Sequence, residues 1–467
     1  MSGFGSNERK TKKSEEKKIK TLQRDKLISN AFSLHSSGKI KEAADLYNFL
    51  IKNKIYDPRV FNNLGSIYSN LKQFDKAILL FDESIKKFPN SLEAYINLAN
   101  VMIIKGKSDI AKKILNKVIE LNPNYLKPYS NLAGIFVGEG NFEKAEFFLR
   151  KSLEINPKDI NTLVNLACVL KDLGNPKQAE RFLRDALEIN PKYDSALVNL
   201  GAVLNELGKI DEGEEFLKKA LKINPNSPMA LNNLGNILSK KNKNKEAELF
   251  YRKAIELKSD FFLAYDNLGS LLSKQGNLIE AEKFTEKAIN YNPKFELAYV
   301  NLGSIKIDLD KLLEAEELFL KAIQINENYS YAYRNLFRLY EKTNNIEKLK
   351  NKLKTLKENK SIVNEKILFQ ARIFFREKDY IKAKKSIDQV SDEWINNTDH
   401  QTNLLYWSYK AFIEEKVGNY DEAFKCFENS QLNLKYENFN PKVFQNYIHT
   451  YRKNLDNKNF VVENNAL

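Results

Sequence analysis

Cysteine is nearly absent from the chain. Two occur in 467 residues, Cys168 and Cys426, far apart and without a CxxC spacing. That excludes a disulfide framework and a thiolate zinc site, and points to a reducing compartment. Histidine is almost as scarce: His35, His400 and His449 are the three, and none has a second metal ligand one helical turn away. Catalysis by imidazole and a histidine-held metal are therefore not expected. No run approaches the roughly 18 apolar residues that a membrane helix needs. The opening "MSGFGSNERKTKKSEEKKIK" is positively charged but lacks the apolar stretch of a secretory signal. A cytoplasmic chain without a membrane partner is the expectation. Glycine (17) and proline (11) are also few, and they fall at recurring places, as punctuation between helices would.

A broad field of one charge sign is missing too. The net charge is +14, yet residues 1–26 hold nine basic and four acidic side chains, and residues 342–360 hold seven lysines against two glutamates. Outside those two segments the chain is close to balanced. A dedicated nucleic-acid binder is accordingly not expected, and a solvated basic tail accounts for the excess at the N-terminus. Apolar content of 42% and charged content of 29% describe a folded protein. At this length a single compact core is excluded, leaving several domains or an array that grows without thickening.

What is present is one unit, written again and again. Aligning "YINLANVM", "LVNLACVL", "LVNLGAVL", "LNNLGNIL" and "YDNLGSLL" on their Leu-Gly or Leu-Ala pair gives a period of 34 residues. Units open at Arg24, Pro58, Leu92, Leu126, Ile160, Asp194, Pro228, Phe262 and Glu296, and a tenth opens at Ser330. In the unit from Ile160, the residues Leu163, Leu166, Ala167 and Leu170 make the apolar stripe of a first helix. Gly174 is expected as a left-handed stop, Asn175 as the cap of a second helix with Pro176 in its first turn, and Ala179, Leu183 and Ala186 as that helix's stripe. Small residues at the eighth and twentieth places, such as Gly201, Gly269, Ala145 and Ala247, allow the two helices close approach. A unit this short cannot bury its stripe alone, so units must stack.

The pattern of small, aromatic and proline positions resembles a tetratricopeptide repeat (TPR) array over residues 24–340. The resemblance implies an all-α fold, a right-handed superhelix (α-solenoid) of antiparallel helix pairs whose first helices line a concave groove. It implies no chemistry by itself. After Ser330 the pattern departs, with Phe337 at the small eighth place and Leu349 at the small twentieth, where the ladder should bend or stop. The expected organisation is a basic disordered tail (1–23), the array (24–340), a lysine-rich connector (341–360), a C-terminal helical subdomain (361–455) and a tail (456–467). Two divergent units fall in the subdomain, Asn364–Asn397 and Leu404–Glu437, with residues 398–403 inserted between them.

One residue recurs without a core role. Place 6 of the first helix holds Asn63, Asn97, Asn131, Asn165, Asn199, Asn233, Asn267, Asn301 and Asn335. At 3.6 residues per turn this place lies about 150° from the centre of the apolar stripe, on the same side as places 2, 9 and 13. A primary amide has one acceptor and two donors, enough to bond both the C=O and the N–H of an extended main chain whatever its side chains. Small residues at place 9, including Ser66, Gly134, Ala202, Ser270 and Ser304, leave room for a backbone to come near. The row resembles the asparagine ladder of the O-GlcNAc transferase TPR superhelix, which implies capture of extended polypeptide. The same amides bonding neighbouring helices is the structural alternative. The TPR clamp for C-terminal carboxylates is not expected, because Ile96 and Asn232 stand at place 5 where it needs lysine.

Signs of catalysis are weak. "GKS" at 106–108 has Val101 in place of a phosphate loop's first glycine, and "GEG" at 138–140 has Glu143 in place of the third. Cys168 reads as a small groove residue, and Glu214-Glu215 and Glu316-Glu317 as solvated helix faces. Residues 404–437 with "LKYENFNPKVFQNYIHTYRKNL" loosely resemble the helical connector of bacterial TPR-sulfotransferases, but no phosphosulfate-binding loop accompanies them. The expectation is a non-catalytic adaptor for protein or peptide partners without a cofactor. The alternative is the substrate-targeting arm of a sulfotransferase or glycosyltransferase system whose catalyst is separately encoded.

Overall fold

The computed structural model describes residues 23–356 and 361–432. Expectations that fall on the first 22 residues, on His449 and on the tail 456–467 lie outside the described residues. The chain divides into two compact units, Met1–Leu257 and Lys258–Leu467. Among the described residues the regular elements are helices, without strands.

In the first unit, a helix over residues 23–36 and the helix Ile40–Lys52 are followed by six pairs in unbroken register. First helices of 13 residues (Pro58–Asn70, Leu92–Ile104, Leu126–Gly138, Ile160–Asp172, Asp194–Glu206, Pro228–Lys240) alternate with second helices of 14 (Phe74–Lys87, Ser108–Leu121, Phe142–Ile155, Pro176–Ile189, Ile210–Ile223, Asn244–Leu257). Each first helix begins at the residue that opens its 34-residue unit. The second compact unit continues the pattern with Phe262–Lys274 and Leu278–Tyr291, Glu296–Asp308 and Leu312–Ile325, then Ser330–Lys342 and a shortened Ile346–Thr355. Val363–Arg376, Tyr380–Ile387, Asp392–Asn397, His400–Lys416 and Tyr420–Leu432 complete it.

Two local rules fix the period. At the fifteenth place the chain turns left-handed in every pair, with φ between +52° and +85°, whether the residue is Gly174, Gly208 and Gly276 or Lys72, Asn242, Asp310 and Lys378. In three units a glycine at the eighth place faces an aromatic ring at place 24 of the same unit. A Cβ on Gly235 would lie 2.6 Å from the Tyr251 ring, and one on Gly65 or Gly303 would lie 2.5 Å from Phe81 or Phe319. Where place 8 is alanine (Ala99, Ala133, Ala167), place 24 is the slimmer leucine (Leu115, Leu149, Leu183). Volume is thus conserved across these six helix pairs, as dense packing requires, whereas Gly201 and Gly269 face the smaller Leu217 and Thr285.

Two expectations are corrected. Asn175 precedes the second helix, but its side chain makes no capping bond. The amides of Gln178 and Ala179 donate instead to the main-chain oxygen of Asn175, at 3.1 Å each. Residues 398–403 are not a loop inserted before Leu404: Asp399 accepts from the Thr402 amide and starts the helix at His400. The half-buried His35 ring sits edge-on to Tyr47 with Nδ1 3.3 Å from the phenol oxygen. Phe337, at a place built for glycine, is fully buried and packs edge to face on Phe369, and the second helix beside it is only 10 residues long.

Candidate functional site

The apolar stripes of the first helices are buried, with Leu163, Leu166, Ala167 and Leu170 in one core cluster. Place 6 lies on the far side of those helices, and none of its nine asparagines is buried. Asn165 is exposed and the other eight are half-buried.

Their bonding falls into three groups. Asn97, Asn165 and Asn199 make no side-chain hydrogen bond among the described residues. Asn63 donates to the Tyr47 hydroxyl (3.1 Å), Asn131 to Asn100 Oδ1 (2.8 Å) and Asn335 to the carbonyl of Tyr331 (2.7 Å). Asn301 donates to both oxygens of Asp266 (3.0 Å each), and Asn233 Oδ1 accepts a long bond of 3.5 Å from Asn232. Asn267 also has a partner. The bonds of Asn63, Asn131, Asn233, Asn301 and Asn335 each engage one side of the amide, so bonding capacity is left over.

Place 9 beside the row is open or half-open: Ser66, Asn100, Gly134, Cys168, Ala202 and Asn236 in the first unit, Ser270 and Ser304 in the second. Burial pushes the Cys168 thiol above its ordinary pKa, which keeps it protonated and a poor nucleophile. Tyr251 reaches this face from a second helix and donates to Asn236 Oδ1 at 2.7 Å.

Place 5 is where sequence reasoning missed something. Apart from the half-buried Ser130, its residues in the array are buried between neighbouring first helices, and four of those buried residues are polar: Asn62, Asn232, Asp266 and Arg334. Asp266 is 2% exposed, and burial drives its carboxyl up to about 6 against the opposing pull of the Asn301 amide. Arg334 donates to Glu365 at 2.7 Å and to Asp399, tying the helix Ser330–Lys342 to Val363–Arg376 and to the start of His400–Lys416. The signal was a polar residue at a place otherwise held by Ile96, Val164, Val198 and Val300. A second set also went unread, the basic side chains at places 9 and 13 of two successive units: Arg338 and Lys342, then Arg372 and Arg376.

Among the described residues no group of three or more His, Cys, Asp or Glu is placed to hold a metal ion, and no helix is long and apolar enough to cross a membrane. The segment compared with the sulfotransferase connector lies outside the described residues from position 433 onward.

Comparison with known proteins gives the fold its family. The curated BBSome complex member BBS4 of Bos taurus is 35% identical over 102 residues, 21% of this chain and 18% of that protein. The chain therefore spans under a fifth of that relative's length. A TPR protein from Parabacteroides merdae aligns with a TM-score of 0.46 at 23% identity, over 53% of this chain and 98% of that one. YrrB, described as a TPR protein with an unusual peptide-binding site, aligns with a TM-score of 0.33 at 24% identity, over 39% and 95%. A tetratricopeptide repeat model matches residues 263–295 and 297–329. The model for the Cilia and flagella-associated protein 70 C-terminal domain matches residues 19–266, more than half of the chain. With 34-residue helix pairs in register and these two family-model matches, the chain belongs to the tetratricopeptide-repeat proteins, in the family of the Cilia and flagella-associated protein 70 C-terminal domain.

Proposed function

We propose that the chain is a non-catalytic protein-interaction scaffold that holds extended polypeptide along its asparagine row. The supporting observation is that all nine place-6 amides keep contact with solvent, and that Asn97, Asn165 and Asn199 are unbonded among the described residues. Amides needed only to join helices would be spent on those joints. These keep donors and acceptors at a repeating height along the first helices, beside small residues, as main-chain capture requires. An extended chain advances about 3.3 Å per residue and neighbouring helices sit about 8–10 Å apart, so one amide serves every third peptide residue.

Recognition through the main chain tolerates varied side chains. Selection from a library of unstructured twelve-residue peptides should return binders without a common motif. The triple substitution N97A/N165A/N199A should weaken them at least tenfold, since each lost bond is worth about 0.5–1.5 kcal/mol. Circular dichroism should stay unchanged, because these side chains bond no described residue. Undiminished affinity in the triple variant overturns the reading.

A further inference from the structure

Within the second compact unit, the helices Ser330–Lys342, Val363–Arg376 and His400–Lys416 enclose an open cleft of about 540 Å³. Four cations line it, Arg338, Lys342, Arg372 and Arg376, against one carboxylate, Glu341. The pairs are spaced by four residues on each helix and by 34 between helices, so the repeat itself delivers them to the same face. Leu404 and Leu405 add an apolar wall.

Arg338 is engaged by neighbours, and the other three cations keep charge to spare. Arg372 is 6% exposed, and although Nη2 pairs with Glu341 at 2.7 Å, its Nε and Nη1 have no hydrogen-bond partner. Its guanidinium lies 4.3 Å from the Tyr409 ring centroid and 5.1 Å from that of Phe369. Those rings occupy place 6, where the upstream units carry asparagine. Arg376 has only a long contact to Asn344 (3.4 Å), and Lys342 forms no ion pair among the described residues. Arg338 bonds Gln401 (2.9 Å) and Thr402 (2.7 Å) and lies 3.6 Å from Asp399. The idle Arg372 nitrogens are closed off from solvent, so Arg372 adds charge behind the cleft, while the exposed Lys342 and Arg376 present the donors that an entering anion meets.

We infer that this cleft is a subsite for an acidic side chain, a carboxylate or a phosphate ester, carried by an extended polypeptide with an apolar neighbour. The exposed guanidinium fork of Arg376, beside the Lys342 ammonium, suits the paired oxygens of either group. The leucine wall suits the neighbour. A polypeptide is favoured over nucleic acid because the rings beside the cleft, Phe369 and Tyr409, already carry Arg372 on their faces instead of offering them to bases. The polypeptide nature of the ligand rests on the scaffold reading above, while the subsite uses none of the asparagines.

The test is fluorescence polarisation of the full chain with three labelled peptides that differ at two positions flanking a leucine: glutamate, phosphoserine or glutamine. At least one charged peptide should bind tenfold or more tightly than the glutamine peptide, and the tighter of the two identifies the anion. K342Q/R376Q, which alters only exposed side chains, should abolish that preference. R372Q should do the same, and circular dichroism of both variants reports on folding. N97A/N165A/N199A should leave the charge preference intact, so failure of the asparagine row and failure of this subsite give different results. Equal binding of charged and neutral peptides, a preference that survives K342Q/R376Q, or tighter binding of a mixed-sequence single-stranded RNA than of either acidic peptide would overturn the inference.

Discussion

Two carboxylates show how place decides chemistry at the scale of the residue. Glu214 lies between Lys218 (2.6 Å) and Lys241, and those cations hold its carboxyl down at about 2. Asp266 is buried beside the Asn301 amide and is pushed up to about 6. Between about pH 4 and pH 6 the folded chain therefore keeps a proton that the unfolded chain has released. The contribution of Asp266 to stability falls as pH rises through that window and stays low above it. The shift corresponds to about 3 kcal/mol. Asp266→Asn removes the buried ionisation and retains an acceptor for Asn301. Urea unfolding, read through Trp394 and Trp407 in the same compact unit, should find D266N more stable than wild type at pH 7.5. The advantage should shrink towards pH 4, and a pH-independent difference would contradict the assignment. The sequence carried one sign of this residue, a carboxylate at the place that Ile96, Val164, Val198 and Val300 hold in other units, but its burial follows only once the neighbouring helix covers it.

At the scale of the element, the helix pairs were legible because each rule is local. The stripe of Leu163, Leu166, Ala167 and Leu170 was visible from spacing alone, and so was the turn at Gly174. The exchange between places 8 and 24 was only half legible: the small residue was noted, its large partner was not. Gly235→Ala should destabilise by about 1–3 kcal/mol, since its methyl would meet the Tyr251 ring. The same change at Gly134, where nothing lies within 4 Å, should not destabilise. Lys72 and Lys378 hold left-handed turns that glycine adopts without strain, so Lys72→Gly should raise the melting temperature, by an effect of about 1 kcal/mol. The irregular helices after Thr355 were least legible, because tertiary bonds set them. Arg334→Ala leaves Glu365, which is 1% exposed, without its cation, and tryptophan-monitored unfolding should register a loss of about 3–5 kcal/mol.

The largest scale holds the functional claim. A repeat array multiplies whatever one unit presents, so a single asparagine facing away from the core becomes a row. The sequence revealed the row and its side of the helix, because both follow from period and angle. It did not reveal which amides are spent on neighbours, since Asn301 meets Asp266, and Asn131 meets Asn100, only after the repeats have stacked. The claim is that the unspent amides bond a ligand's main chain. The most direct measurement is a double-mutant cycle on a selected peptide, pairing N97A, N165A and N199A each with replacement of single peptide amides by esters, which deletes one N–H donor and weakens one acceptor. The account predicts that for each asparagine one ester position costs affinity in wild type and costs nothing further once that asparagine is alanine, a coupling of about 0.5–1.5 kcal/mol. Ester and alanine effects that simply add at every position would contradict it.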